Sequence, residues 1–175
     1  METTVKFKTL SCREARTYLF AAVFVLGNML LPQLCHLVPQ GGLVWLPIYF
    51  FTLIGAYKYG WQVGLLTAVA SPLLNSWQFG MPPSPVLPII LVKSVALALA
   101  AALVAKRTQT ATILTLILVV VAYQLAGSLF EWAYTGSLSA ALQDVRLGIP
   151  GLLLQVFGGW LILRKNNPNR SLERY

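Results

Sequence analysis

The chain has 175 residues, 57% of them hydrophobic and 10% charged, with thirteen Lys and Arg against five Asp and Glu. So much apolar side-chain surface excludes an ordinary water-soluble domain, and lipid must be the solvent for most of the chain. The formal charge of +8 would suit nucleic-acid binding in a soluble protein, but here the cations fall between apolar runs, so they report topology and no nucleic-acid partner is expected.

A bilayer core about 30 Å thick needs roughly 20 helical residues. Residues 1–17 are polar and basic, and the apolar run behind them, about 16–38, is too long for a cleavable signal and lacks a small-residue cleavage site. It reads as a retained first span carrying one deep polar residue, Asn28. Cys12 and Cys35 fall on opposite sides of this span, which argues against a disulfide, and no metal-type spacing is present. His36, the single histidine, reads as an interfacial residue.

Pro39-Gln40-Gly41-Gly42 precedes a short second span, about 43–57. Lys58-Tyr59-Gly60 then leads into a third, about 60–77, on which Ser71, Asn75 and Gln78 share a face. Gly60, Gly64 and Ala68 give that span a small-residue stripe, whose ordinary reading is packing within the chain and whose functional reading is a docking surface. After the turn-rich 80–85, the fourth span (85–105) carries Lys93 and a small face at Ala98, Ala101, Ala102 and Ala105. Lys106-Arg107-Thr108 precedes the fifth (110–134), where Gln124, Ser128 and Glu131 align at i, i+4, i+7. Thr135-Gly136-Ser137 leads toward the sixth (144–163), with Gln155 inside it and a kink expected at Pro150. The expected architecture is all-α: one six-helix transmembrane domain over 1–165 and a polar tail, 166–175.

With the N-terminus inside, the cytoplasmic segments hold Lys6, Lys8, Arg13, Arg16, Lys58, Lys106, Arg107, Arg164, Lys165, Arg170 and Arg174, while the outer loops hold none, Arg146 lying at the edge of the sixth span. The positive-inside rule then sets both termini in the cytoplasm. At 1.5 Å per residue, Asn28, Asn75, Lys93, Gln124, Ser128, Glu131 and Gln155 all fall within roughly 15 Å of the outer surface. The inner halves are nearly free of polar groups, so the bundle is expected to form a cup open to the outside.

Lys93 and Glu131 are costly in lipid and must face the interior. They pair with each other, bind a ligand, or do both in turn. Trp77 and Trp132, with Trp45, Tyr123, Tyr134 and Phe79, suit an aromatic belt or a cover over a flat ligand. No nucleotide-binding loop, nucleophile elbow or zinc-protease motif occurs, so enzymatic chemistry, a metal and a cofactor are not expected.

The stretch Gly55-Ala56-Tyr57-Lys58-Tyr59-Gly60-Trp61-Gln62-Val63-Gly64, the segment Ser71-Pro72-Leu73-Leu74-Asn75 leading into Gly80-Met81-Pro82, and the Ala-rich fourth span ending in Lys106-Arg107 resemble the substrate-binding S components of energy-coupling factor transporters. The likeness covers most of the chain. It implies a protein of a prokaryotic plasma membrane that captures a vitamin or related micronutrient from outside and releases it inside, working with a transmembrane coupling subunit and two cytoplasmic ATPases. The family's first helix displays an alanine-x-x-x-alanine surface for that subunit; here Thr17 and Ala21 hold the spacing with one substitution, and Gly64 and Ala102 are further candidates for the contact. The alternative is a six-helix scaffold of the rod-shape or cell-envelope type, which needs no polar cup.

Overall fold

The computed structural model describes residues 9–165. The polar tail at 166–175 lies outside the described residues, as do Lys6 and Lys8. Among the described residues every regular element is helical. Three helices among the described residues are long and apolar enough to cross a membrane: α1 (Ala15–Cys35), α5 (Leu87–Thr108) and α6 (Ile113–Thr135). Between α1 and α5 lie α2 (Gly41–Trp45), a 3-10 turn at Pro47–Tyr49, α3 (Phe50–Tyr59) and α4 (Trp61–Phe79). After α6 come α7 (Leu138–Ala141), α8 (Gln143–Leu147), α9 (Ile149–Leu153), a π turn at Leu154–Gly158 and α10 (Gly159–Lys165).

Local chemistry sets the ends of the long helices. Thr112 caps α6 by accepting from the Thr115 N–H, Thr115 answers with its own hydroxyl, and Gly136 closes the helix in the left-handed region at φ 67°. Lys106 and Arg107 end α5, where cations offset the carbonyl end of the helix dipole.

Two expected spans are not continuous helices. The run at 43–57 breaks at Leu46, which sits at φ 46° and ψ 47° ahead of Pro47, leaving a ten-residue α3 behind a 3-10 turn. Hydropathy is blind to such a break, because Leu46 and Pro47 are both apolar. The run at 144–163 is cut at Gly148 and widens into the π turn. Pro150 does not kink a longer helix as expected; it lies in the first turn of α9, where its missing N–H costs nothing.

The bundle is tightest where α3, α4 and α5 meet. A Cβ on Gly64 would stand 2.5 Å from Ala56 Cβ and 3.3 Å from Ala98 Cβ, so only glycine admits this approach. Around it Leu53, Ala56, Tyr57, Leu97, Ala98, Leu116 and Val119 are fully buried. Much of the apolar surface points outward instead, as in Leu19, Val23, Leu26 and Leu30 of α1 and Leu114, Leu118, Leu125 and Leu129 of α6. Neither helix has a hydrophobic face turned wholly inward, the pattern a lipid solvent allows.

The two ends of the bundle differ in charge. At one end the Leu10 N–H donates to the Tyr59 carbonyl and the Tyr57 hydroxyl to the Thr110 carbonyl, gathering the N-terminal segment, the end of α3 and the α5–α6 connection. Gly158 lies beside Phe50 and Gly159 beside Leu53, so α10 runs in the direction of α3 and finishes at the same end. Arg13, Arg16, Lys58, Lys106, Arg107, Arg164 and Lys165 therefore share it. The opposite end, built from α2, the 3-10 turn, the 80–86 loop and α7 to α9, carries Arg146 and the charges described next.

Candidate functional site

Lys93 projects from the second turn of α5 and is 2% exposed. Its Nζ lies 2.5 Å from Glu131 Oε2 on α6 and 2.7 Å from Asp144 Oδ2 on α8. The two carboxylates keep 12% and 14% of their side-chain surface open. A lone ammonium could not stay at this depth; two charge-assisted hydrogen bonds make it tenable. Gly127 provides the route, because a Cβ there would overlap the Lys93 Cγ, and the lysine stem crosses α6 through the space that glycine leaves.

The triad stands in the wall of a cavity of about 520 Å3 whose other walls include Leu46, Tyr49, Ile89 and Tyr134. A second cavity, about 380 Å3, is lined by Pro32, His36, Asn75, Met81 and Pro82 among others. Gly42, Leu43, Ile48, Val86 and Ile90 line both, so a thin apolar partition separates them.

Asn28 is the centre of a polar lock between helices. Its Nδ2 donates to Thr52 Oγ1 at 3.0 Å and Ser71 Oγ at 3.1 Å, and its Oδ1 accepts from the Phe51 N–H at 3.2 Å. Pro32, four residues on, has no N–H, which leaves the Asn28 carbonyl free within α1. Asn75 Nδ2 fills that position from α4 at 3.0 Å and also donates to the Ser71 carbonyl at 2.9 Å. Asn28 thus spends its side chain on α3 and α4, while Asn75 Oδ1 is buried, accepts no hydrogen bond among the described residues and belongs to a residue of the second cavity's wall.

The remaining candidate residues separate. Gln124 is buried two turns below Glu131 on the same face of α6, with neither amide atom hydrogen-bonded among the described residues. Ser128 Oγ and Ser94 Oγ are likewise unpaired. Gln155, in the π turn, accepts from the Tyr123 hydroxyl at 2.9 Å and keeps its Nε2 uncommitted. Tyr123 in turn packs against the cavity residue Tyr49, ring centroids 5.6 Å apart. None of Ser94, Gln124, Ser128 and Gln155 lines either cavity. Trp77 is 83% exposed and Trp132 50%, and neither lines either cavity; Tyr49 and Tyr134 line the first and the His36 imidazole lines the second.

The residues expected at a partner surface lie in the chain's own packing or beside it. Thr17 is fully buried with its hydroxyl donating to the Ser11 carbonyl at 2.6 Å, and Ala21 packs with Leu10 and Val63. Gly64 is enclosed as described, and Ala102 is half-buried on α5.

Comparison of the chain with protein-family models, with curated proteins and with solved structures finds no match. The site must be read from its own geometry. Among the described residues no three His, Cys, Asp or Glu side chains gather as a metal site. What the triad offers is charge recognition at a cavity wall. Sequence reasoning missed Asp144, taking it only as the start of the sixth span. The signal was there: among the described residues, away from the basic end, the charged residues reduce to Lys93, Glu131, Asp144 and Arg146, and a lysine at membrane depth needs every acid within reach.

Proposed function

We propose that this chain is the substrate-binding S component of an energy-coupling factor importer in a prokaryotic plasma membrane, taking a vitamin or related micronutrient from outside. The observation that carries the reading is a charged triad in the wall of a 520 Å3 cavity, at the end of the bundle opposite seven basic residues. A cavity of this size suits a small organic molecule. Basic residues favour the cytoplasmic side, so the cavity faces out and both termini face in. The six crossings are then α1, the broken segment through α3, α4, α5, α6, and the broken segment ending in α10. Release to the cytoplasm is assigned to a transmembrane coupling subunit and two ATPases.

Topology is checked with single cysteines in a cysteine-free background: Ser84→Cys and Ser137→Cys are expected to react with an impermeant maleimide on intact cells, and Thr108→Cys to stay unlabelled until the membrane is opened. Labelling at Thr108 on intact cells would refute the arrangement. Function is checked by affinity purification from the native host in mild detergent. The eluate is expected to contain two ATPase subunits and a transmembrane partner, and to release a small molecule on heating. Recovery with cell-envelope synthesis proteins, and with neither ATPase nor small molecule, would favour the six-helix scaffold instead.

A further inference from the structure

We propose that the cavity selects a small organic cation bearing N–H donors, an amine or amidine, held between Glu131 and Asp144; this rests on the reading of the cavity as a substrate site. Lys93 brings one positive charge against two carboxylates. Among the described residues the remaining acid is Glu14, at the start of α1, so two of the three described carboxylates are committed to this one wall. The ammonium uses one oxygen of each, Glu131 Oε2 and Asp144 Oδ2. The other two, Glu131 Oε1 and Asp144 Oδ1, accept no hydrogen bond among the described residues, and both residues line the cavity. The wall therefore presents a net negative charge and two free acceptors. Arg146, two residues beyond Asp144, is exposed and makes no ion pair with either carboxylate.

An anionic ligand would have to approach two carboxylates to reach an ammonium they already hold. A cationic ligand meets free acceptors and cancels the excess charge in a low-dielectric wall, where charge-assisted hydrogen bonds are strongest. Tyr49 and Tyr134 line the same cavity, and aromatic side chains suit a cation with a flat or apolar body. The volume, about 520 Å3, is that of an organic molecule and far exceeds a bare metal ion.

Three isosteric probes test this on the purified protein: benzamidine, a forked cation; benzamide, its neutral counterpart; and benzoate, an anion. Calorimetry on wild type is expected to rank benzamidine above benzamide above benzoate, with about tenfold or more between the first and second. Glu131→Gln and Asp144→Asn retain oxygens for Lys93 and should bring the first two probes level. Equal or tighter binding of benzoate, no binding of any probe at millimolar concentration, or an undiminished preference in both carboxamide variants would overturn the proposal. If the variants do not yield folded protein, the wild-type ranking alone decides it. These measurements need neither coupling subunit nor ATP, so charge selection can fail while import stands, and the reverse.

Discussion

Replacing Lys93 with Met is expected to destabilise the protein by about 3–5 kcal/mol, because the substitution leaves Glu131 and Asp144 facing each other with nothing between them. Thermal unfolding in detergent should show it as a lowered midpoint. The cost comes from the stranded carboxylates more than from the lost hydrogen bonds, so neutralising them should restore most of it. The Lys93→Met/Glu131→Gln/Asp144→Asn triple variant, with no formal charge left in the wall, should melt near wild type, and the departure from additivity measures the coupling. A Lys93→Met variant as stable as wild type would mean that the triad carries no such charge balance.

Asn28→Leu is expected to cost about 2–3 kcal/mol, through a different cause. Leucine keeps the branched outline of asparagine but leaves the Phe51 N–H without its acceptor and the Thr52 and Ser71 hydroxyls without their donor. A hydrogen bond between membrane helices averages well under 1 kcal/mol in mutant cycles, whereas a stranded backbone N–H in an apolar setting costs about 1–3 kcal/mol. The backbone group therefore dominates. Adding Thr52→Val and Ser71→Ala to Asn28→Leu should recover only the smaller part, since Phe51 keeps its orphan. Equilibrium unfolding of the single and triple variants separates the two contributions. Benzamidine binding should change little in any folded Asn28 variant, because Asn28 does not line the cavity that holds the triad.

The residues most readable from sequence were those with one dominant constraint. α1, α5 and α6 are unbroken apolar runs between basic or turn-forming boundaries, and each falls within three residues of its expected ends. Lys93 and Glu131 were legible as partners because so few charges occur at that depth. The i, i+4, i+7 spacing of Gln124, Ser128 and Glu131 placed them on one face, and all three are at least partly buried. Hydropathy could not show that Leu46 adopts a left-handed conformation or that residues 154–158 form a π turn, since both depend on what packs around them. Spacing did carry the orientation of Trp77, and the expectation of a ring over the ligand overlooked it. Trp77 lies two residues beyond the buried Asn75, and α4 turns through about 200° over that distance, so it points outward. Asn28 looked like a ligand contact by depth alone; only the missing N–H of Pro32 and the position of Thr52 show that α3 and α4 claim it.

The broken segments have a consequence for how the molecule opens. α2, α7, α8 and α9 have four or five residues each, too few to hold a helix unaided. Their backbone hydrogen bonds survive only while neighbouring elements press against them, whereas α5 and α6 each carry five or more turns of continuous ladder. Amide protons on the short segments should therefore exchange with solvent through small local excursions, long before those in the middle of α5 and α6. Asp144 rides on one of these segments and Lys93 on a long helix, so the ion pair between them joins a fast-exchanging unit to a slow one. Protection along 138–153 then becomes a gauge of that single contact, rising when a bound cation ties Asp144 to Glu131 and falling when Asp144 is neutralised.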